Sequence, residues 1–268
     1  MTSAQPRAAG AVTLSAKTVS HGSVLDDLHQ SGAMKALFPM PRSRGLQAIL
    51  VNTAGGITGG DRFSLHASAG ESATLGLTTQ AAERAYRAQP DETATVRNHL
   101  HAKQGARIAW LPQETILFEG CALHRQMRVD LDDGAELLLV EPLAFGRVAM
   151  GETLRQVRFR DRIEIRRRGV PLFLDAMTIH GDLTGHLAAP HVAGQAGAMA
   201  LIVYVGAGAE GLLKPLRALM PATGGASLIG ADMLVARLLA ADAFALRETL
   251  VPALERLSHD DLPRSWMT

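Results

Sequence analysis

Apolar and polar residues alternate with a period of two through much of the first part of the chain, the pattern of half-buried strands. Asp61-Arg62-Phe63-Ser64-Leu65-His66-Ala67 shows it plainly. Residues 47–52, 72–79, 93–103, 106–111, 126–131, 135–141, 156–166 and 172–179 are likewise rich in β-branched or apolar side chains, with Gly, Asp and Pro between them. Three segments resemble one another: Ser72-Ala73-Thr74-Leu75-Gly76-Leu77, Gly105-Ala106-Arg107-Ile108-Ala109-Trp110 and Gly134-Ala135-Glu136-Leu137-Leu138-Leu139. They recur about 30 residues apart, a spacing that predicts stacked β units, with chance likeness among strands as the competing reading. Copies running in the same sense would bring Gln80, Gln113, Glu114 and Glu141 to one sheet edge. Such a row either coordinates a hard or borderline cation or protects the edge by charge, and the second is commoner.

The pattern changes near Gly206. Residues 211–220 carry apolar positions at helical spacing, with Pro215 tolerable only near the first turn. Residues 233–239 read as a further strand. Asp242 is a credible N-cap for a helix reaching about Leu257, apolar at Leu246, Leu250, Leu254 and Leu257, with Pro252 expected to kink it or end its regular bonding. The predicted fold is mainly β. Residues 1–205 form a stacked-strand, β-helix-like body, and 206–268 a small α-helical part with one further strand, packed on the body as one structural unit.

Composition narrows the function classes. A chain of 268 residues with a net charge of +1 implies no overall attraction to nucleic acid or membrane. One cysteine, Cys121, excludes an intrachain disulfide and suits a reducing compartment. Residues 1–10 lack the pattern of a secretion signal, and no apolar run approaches the ~18 residues of a membrane span, so a soluble cytoplasmic protein is expected. Zinc spacings and the Gly-x-Ser-x-Gly elbow are absent.

Gly55-Gly56-Ile57-Thr58-Gly59-Gly60-Asp61 invites a phosphate-loop reading and fails it. Asp61 stands where a nucleotide would want a lysine, and strand periodicity follows where a helix is needed. The plain alternative is a wide turn or bulge between strands, with Asp61 bonding its own backbone. His99 and His101 share a strand face with Arg97 and Lys103, whose charge opposes a metal ion, so a surface pair is favoured. His180, His186 and His191 fall in a Gly- and Pro-containing stretch that reads as a solvated loop. Glu114 and Glu119 lie on opposite faces of a regular strand and cannot chelate one ion without a bulge. Arg158, Arg160, Arg162 and Arg166 alternate with apolar residues as a basic solvent face.

Together these segments resemble one family. Gly55-Gly56-Ile57-Thr58-Gly59-Gly60-Asp61-Arg62 is similar to the Pro-Gly-Gly-x-x-Gly-Gly-Asp signature of the urease accessory protein family UreD, also called UreH. Thr78-Thr79-Gln80 with Tyr86-Arg87 resembles that family's Thr-Thr…Tyr-Arg segment. Trp110-Leu111-Pro112-Gln113-Glu114-Thr115-Ile116 with Phe118-Glu119-Gly120 resembles its Trp-Leu-Pro-Gln-Glu-Thr-Ile…Phe-(Asp/Glu)-Gly core, and Glu141 with Gly146-Arg147 and Gly151-Glu152 matches a fourth block. Ala54, Gln80-Ala81 and Val140 depart from the family's usual Pro, Pro-Gly and Trp.

The resemblance implies a non-catalytic maturation protein. It works with UreF and the GTPase UreG on urease apoprotein to support nickel insertion, with no tightly bound cofactor and Ni2+ at most in transit. It marks Gly55, Gly56, Gly59, Gly60, Asp61, Tyr86, Arg87, Gln113, Glu114, Glu119, Glu141 and Arg147 as partner-contact or nickel-path candidates, with no metal ligands assigned. The alternative is a β-helical carbohydrate-active enzyme drawing paired carboxylates from Asp61, Glu114 and Glu141. Few aromatics, 4% of residues, argue against sugar stacking.

Overall fold

A computed structural model of the chain describes residues 6–40, 43–147, 150–258 and 262–267. Residues 1–5 of the segment read against a secretion signal lie outside the described residues.

Alternation and stacking produce a β-solenoid. The chain coils so that successive strands fall alternately on two facing sheets. Sheet A holds five parallel strands: β1 (Ala9–Val19), β5 (Arg62–Ala69), β8 (Ala94–Ala102), β11 (Ala122–Leu131) and β13 (Val157–Arg167). Antiparallel β2 (Gly22–Gly32) and β14 (Val170–Gly181) close its edges. Sheet B holds parallel β4 (Leu46–Asn52), β6 (Thr74–Thr79), β9 (Arg107–Trp110) and β12 (Glu136–Phe145). It is extended by antiparallel β3 (Met34–Leu37) on one side and by β15 (Ala198–Val205), β17 (Met233–Ala240) and β16 (Gly224–Ile229) on the other.

The three similar segments fall on β6, β9 and β12. They run parallel, with Leu75, Ile108 and Leu137 in register. Their likeness is the repeat of the coil. Inward positions form ladders across the strands: Leu14, Ala67, Leu100, Val129 and Ile165 face one another on sheet A and are all buried. This is the main core, between the sheets.

A third, short wall joins the sheets at one corner of each coil. β10 (Thr115–Leu117) pairs in parallel with β7 (Glu83–Ala85) on one side and with the last residues of β12 on the other, while Ile57 bridges Ala85. Ala85, Leu117 and Phe145 stack in register, each on a successive coil. With Ile57, Leu123 and Phe159 they form a separate buried cluster.

Two helices, α2 (Ala209–Leu219) and α3 (Ala243–Ser258), pack against sheet B. Asp242 caps α3 by accepting from Ala245 N at 2.8 Å, and Leu246, Leu250, Leu254 and Leu257 are buried as their spacing predicts. Pro215 and Pro252 both lie inside continuous helices. Burial of the apolar stripe against the sheet outweighs the amide donor each proline removes. The C-terminal part contains two strands where one is expected. Gly224-Gly225-Ala226-Ser227 has weak strand propensity but pairs with β17, which itself pairs with β15 of the body.

The stretch read as a histidine loop is more ordered. His180 ends β14, and His186 lies in α1 (Leu183–Ala188), where Asp182 accepts from Gly185 N at 2.9 Å; His191 alone is in a turn. An aspartate three residues before a glycine amide supplied the cap that the Gly- and Pro-rich composition hid.

The ladder makes a direct stability prediction. Leu100→Ala removes a fully buried side chain between Ala67 and Val129. It should lower unfolding free energy by about 2–5 kcal/mol in urea titrations. A loss below about 1 kcal/mol would mean that the space between the sheets collapses freely, contrary to a close-packed interior.

Candidate functional site

The third wall collects the distinctive sequence blocks. Residues 55–61 leave β4 and enter it at Ile57. Gly56, at φ +148°, lies against the Tyr86 ring, and a Cβ there would stand 2.3 Å from Tyr86 Cε2. The close approach that the glycine pairs allow is therefore made, to a residue of the second block. Asp61 is buried: Oδ1 accepts from Ala8 N and Oδ2 from Thr58 N, both at 2.8 Å. Its carboxylate closes its own turn and ties that turn to the start of β1.

Tyr86 meets Phe118 edge to face at 5.1 Å, and the Arg147 guanidinium lies 4.8 Å over the Phe118 ring. Glu152 holds Arg147 at 2.9 Å and accepts from Glu119 N at 3.2 Å. Glu119 accepts from Arg155 N at 2.6 Å and stands 3.8 Å from Arg87. Tyr86, Arg87, Glu119 and Arg147, drawn from three separated blocks, thus form one patch on the outside of the wall. Arg87 and Arg147 are exposed there.

Inside the same corner is a cavity of about 250 Å³ between the two sheets. Gly55, Gly56, Gln80, Gln113 and Glu141 are among its lining residues, whereas Glu114 and Asp61 are not. The predicted row of Gln80, Gln113 and Glu141 is therefore brought together around one cavity, with Gln113 and Glu141 buried and Gln80 exposed. Gln113 Oε1 accepts from Arg247 Nη1 at 2.7 Å, linking α3 to the rim, and its Nε2 is buried without a partner among the described residues.

At the floor of the cavity sits a buried charge cluster. Arg125 stands 2.5 Å from Glu141 and 2.5 Å from Asp161, and donates to Thr115 Oγ1 at 3.3 Å. Trp110 Nε1 donates to the other oxygen of Glu141 at 2.8 Å. One guanidinium serves two carboxylates. Burial, opposed by Arg125 and reinforced by the Asp161 charge, pushes the Glu141 carboxyl above its ordinary 4.5. Burial also pushes the Cys121 thiol up to about 12, so no thiolate is available near neutral pH.

Sequence reasoning missed Arg125 and Asp161. The signal existed: each occupies an inward position of a strand, between Leu123 and Met127 or between Phe159 and Ile163, where an apolar residue belongs. The same inward arginine truncated the predicted strand at residue 126, whereas β11 begins at Ala122. The histidine pair also has unforeseen partners. His99 lies 2.6 Å from Asp130 and His101 3.2 Å from Asp132, both acids one coil further on. Among the described residues no group of three or more His, Cys, Asp or Glu is arranged to hold a metal ion.

Comparison with known sequences bears on the same blocks. The profile of the family described as UreD urease accessory protein matches residues 8–267. The chain belongs to the UreD family. It is 55% identical to the urease accessory protein UreD of Ruegeria pomeroyi over 94% of this chain and 98% of that protein. It is 52% identical to the UreD of Roseobacter denitrificans, over 98% and 96%, and 42% identical to that of Mesorhizobium japonicum, over 97% and 94%. UreD membership agrees with a chain whose conspicuous polar groups are spent on holding a corner together.

The charge cluster generates a pH-dependent prediction. A carboxyl whose value is raised by folding contributes fully below its unfolded value and loses that contribution as pH rises through the folded value. Wild-type stability should therefore fall relative to Glu141→Gln as pH rises above 4.5, read as urea midpoints at low and neutral pH. A flat difference would mean the triad is fully compensated. Arg125→Met, which strands two buried carboxylates, should cost about 3–5 kcal/mol near neutral pH.

Proposed function

We propose that this chain is a non-catalytic scaffold of urease maturation that, with UreF and the GTPase UreG, docks on urease apoprotein and supports nickel insertion. UreD membership across residues 8–267 carries the reading, and convergence of all four sequence blocks on one corner supports it. In this reading GTP hydrolysis belongs to UreG, which accounts for a glycine segment built as a turn. Residues 1–205 and 206–268 act as one unit in the cytoplasm; among the described residues no helix is long and apolar enough to cross a membrane.

The candidates divide into three groups. Gly55, Gly56, Gly59, Gly60 and Asp61 shape the corner. Tyr86, Arg87, Glu119 and Arg147 form its outer patch and are the partner-contact candidates, joined by half-buried Glu114. Gln113 and Glu141 line the cavity and are the nickel-path candidates for an ion in transit. Glu141 already bonds Arg125 and Trp110, so a resident nickel would have to break both contacts. The same engagement disfavours the glycosidase alternative. Asp61 is committed to two backbone amides and Glu141 to a guanidinium, which leaves no free carboxylate pair for acid–base work.

Reconstitution tests the reading. Urease apoprotein, UreF, UreG, GTP and Ni2+ should yield active urease with this chain and little without it; full activation in its absence would overturn the proposal. Gly60→Val should lower activation and weaken co-purification with UreF and UreG. Gly60 sits at φ +86°, where a Cβ would stand 3.0 Å from the Arg7 methylenes, and β-branched residues tolerate that backbone poorly. Normal activation by this variant would mean the corner's shape is irrelevant to docking.

A further inference from the structure

Among the described residues, the outward face of sheet A is a large surface that neither the corner nor the helices use. Its exposed positions form rows across parallel strands. Arg62, Thr95, His124 and Arg160 make one row, and Ser64, Arg97, Gln126 and Arg162 the next. His66, His99, Arg128 and Glu164 follow, then Ser68, His101, Asp130 and Arg166. Six arginines stand there against two acids, in a chain whose net charge is only +1. The excess is thus local to this face.

The two acids are already taken. Asp130 bonds Arg128 at 2.8 Å, and Glu164 pairs with Arg162 at 3.3 Å and Arg166 at 2.6 Å. Arg62, Arg97 and Arg160 are exposed and make no ion pair among the described residues. They span three strand spacings, roughly 14 Å, on a rigid sheet. Burial together with the charges of Arg160 and Arg158 holds the His124 imidazole below its ordinary 6.5, the response expected of a site in a positive field. A depression of about 330 Å³ lies in the middle, lined by His66, Arg97, His99, Gln126, Arg162 and Glu164. A carboxylate seated on Gln126 would be bracketed by Arg97 and Arg162, each one strand away in the same row.

We propose that this face of sheet A docks an acidic protein surface, with a partner carboxylate seated over Gln126 between Arg97 and Arg162. The interspersed carboxylates decide the class of partner. Asp130 and Glu164 would repel the unbroken charge of a nucleic-acid backbone or an anionic membrane. A protein surface can place its carboxylates at Arg62, Arg97 and Arg160 and its neutral groups elsewhere. The preorganised arginines steer association and set orientation.

A fluorescein-labelled peptide of Glu-Ser-Ser repeats, whose carboxylates are separated by neutral residues, serves as the probe in anisotropy titrations of the full chain, with duplex DNA and phosphatidylglycerol vesicles as competing classes. The peptide should bind saturably at low ionic strength and weaken steeply as salt is added. Arg97→Glu with Arg160→Glu should weaken it by about tenfold or more, whereas Arg256→Glu on α3 should change it by less than about twofold. Thermal melts check that the double variant stays folded; if its midpoint falls, Arg97→Gln with Arg160→Gln takes its place and should still weaken binding. No binding of the peptide at low salt, undiminished binding by the sheet A variants, or tighter binding of DNA or vesicles would each overturn the proposal.

Discussion

Parallel strands stacked in register impose the constraint on which the rest depends. Each strand of a coil must find its hydrogen-bond partners on the coils above and below, so every coil has to turn at matching points. A one-residue slip would carry inward ladders such as Leu14, Ala67, Leu100, Val129 and Ile165 to the solvent face. The corners must therefore be as well specified as the strands. That explains why so much of the unusual chemistry lies at one corner: a glycine under the Tyr86 ring, a buried aspartate on two amides, and glutamates that accept from backbone N–H groups.

The buried Arg125 cluster looks at first like a functional centre and reads better as a consequence of the same corner. Glu141 lies on β12 between the residues paired with β9 and those paired with β10, still opposite Leu201 of β15, and its carboxylate meets side chains of β9 and β11. Trp110, Arg125 and Thr115 come from three different segments and meet there. A buried ion cluster is weak evidence of stability, because desolvation offsets much of its attraction. It does discriminate strongly against mispaired registers, since a slip of either strand would leave a charge unpaired in the interior. One excess carboxylate beside an open cavity also leaves the spot electrically unfinished, which makes Glu141 the most responsive group in the corner.

Much of this was legible in the sequence. Alternation located most of the strands between residues 47 and 179, the likeness of 72–77, 105–110 and 134–139 carried the coil repeat, and leucine spacing with Asp242 placed α3. What escaped has physical reasons. Three-residue strands such as β7 and β10 are too short for periodicity to register. β1 and β16 are rich in Ala and Gly, which are depleted in strands and pair here because of their neighbours. Arg125 and Asp161 violate the apolar-inside pattern and so removed the evidence that would have placed them. The corner's individual residues were legible only as blocks, because their partners lie one coil away, about 30 residues along the chain.

The two sheets end in opposite circumstances. Sheet B lost its solvent face to α2 and α3, and its outer positions became apolar to match: Val140, Ile202, Tyr204, Leu234 and Leu238 share one buried cluster. Sheet A kept a polar outer face, yet did not fill it with the balanced charge that solubility alone would favour. A solvated ladder gains nothing from holding like charges on adjacent strands, where mutual repulsion is unscreened at short range. Arg160 beside Arg158 and Arg162 on one strand is a standing cost that other residues of equal strand propensity would avoid. A cost kept on the outer face of a hydrogen-bonded sheet is understandable if something of opposite charge covers it. The corner gives the fold its shape, and the bare face of sheet A retains the charge with which that shape can be recognised.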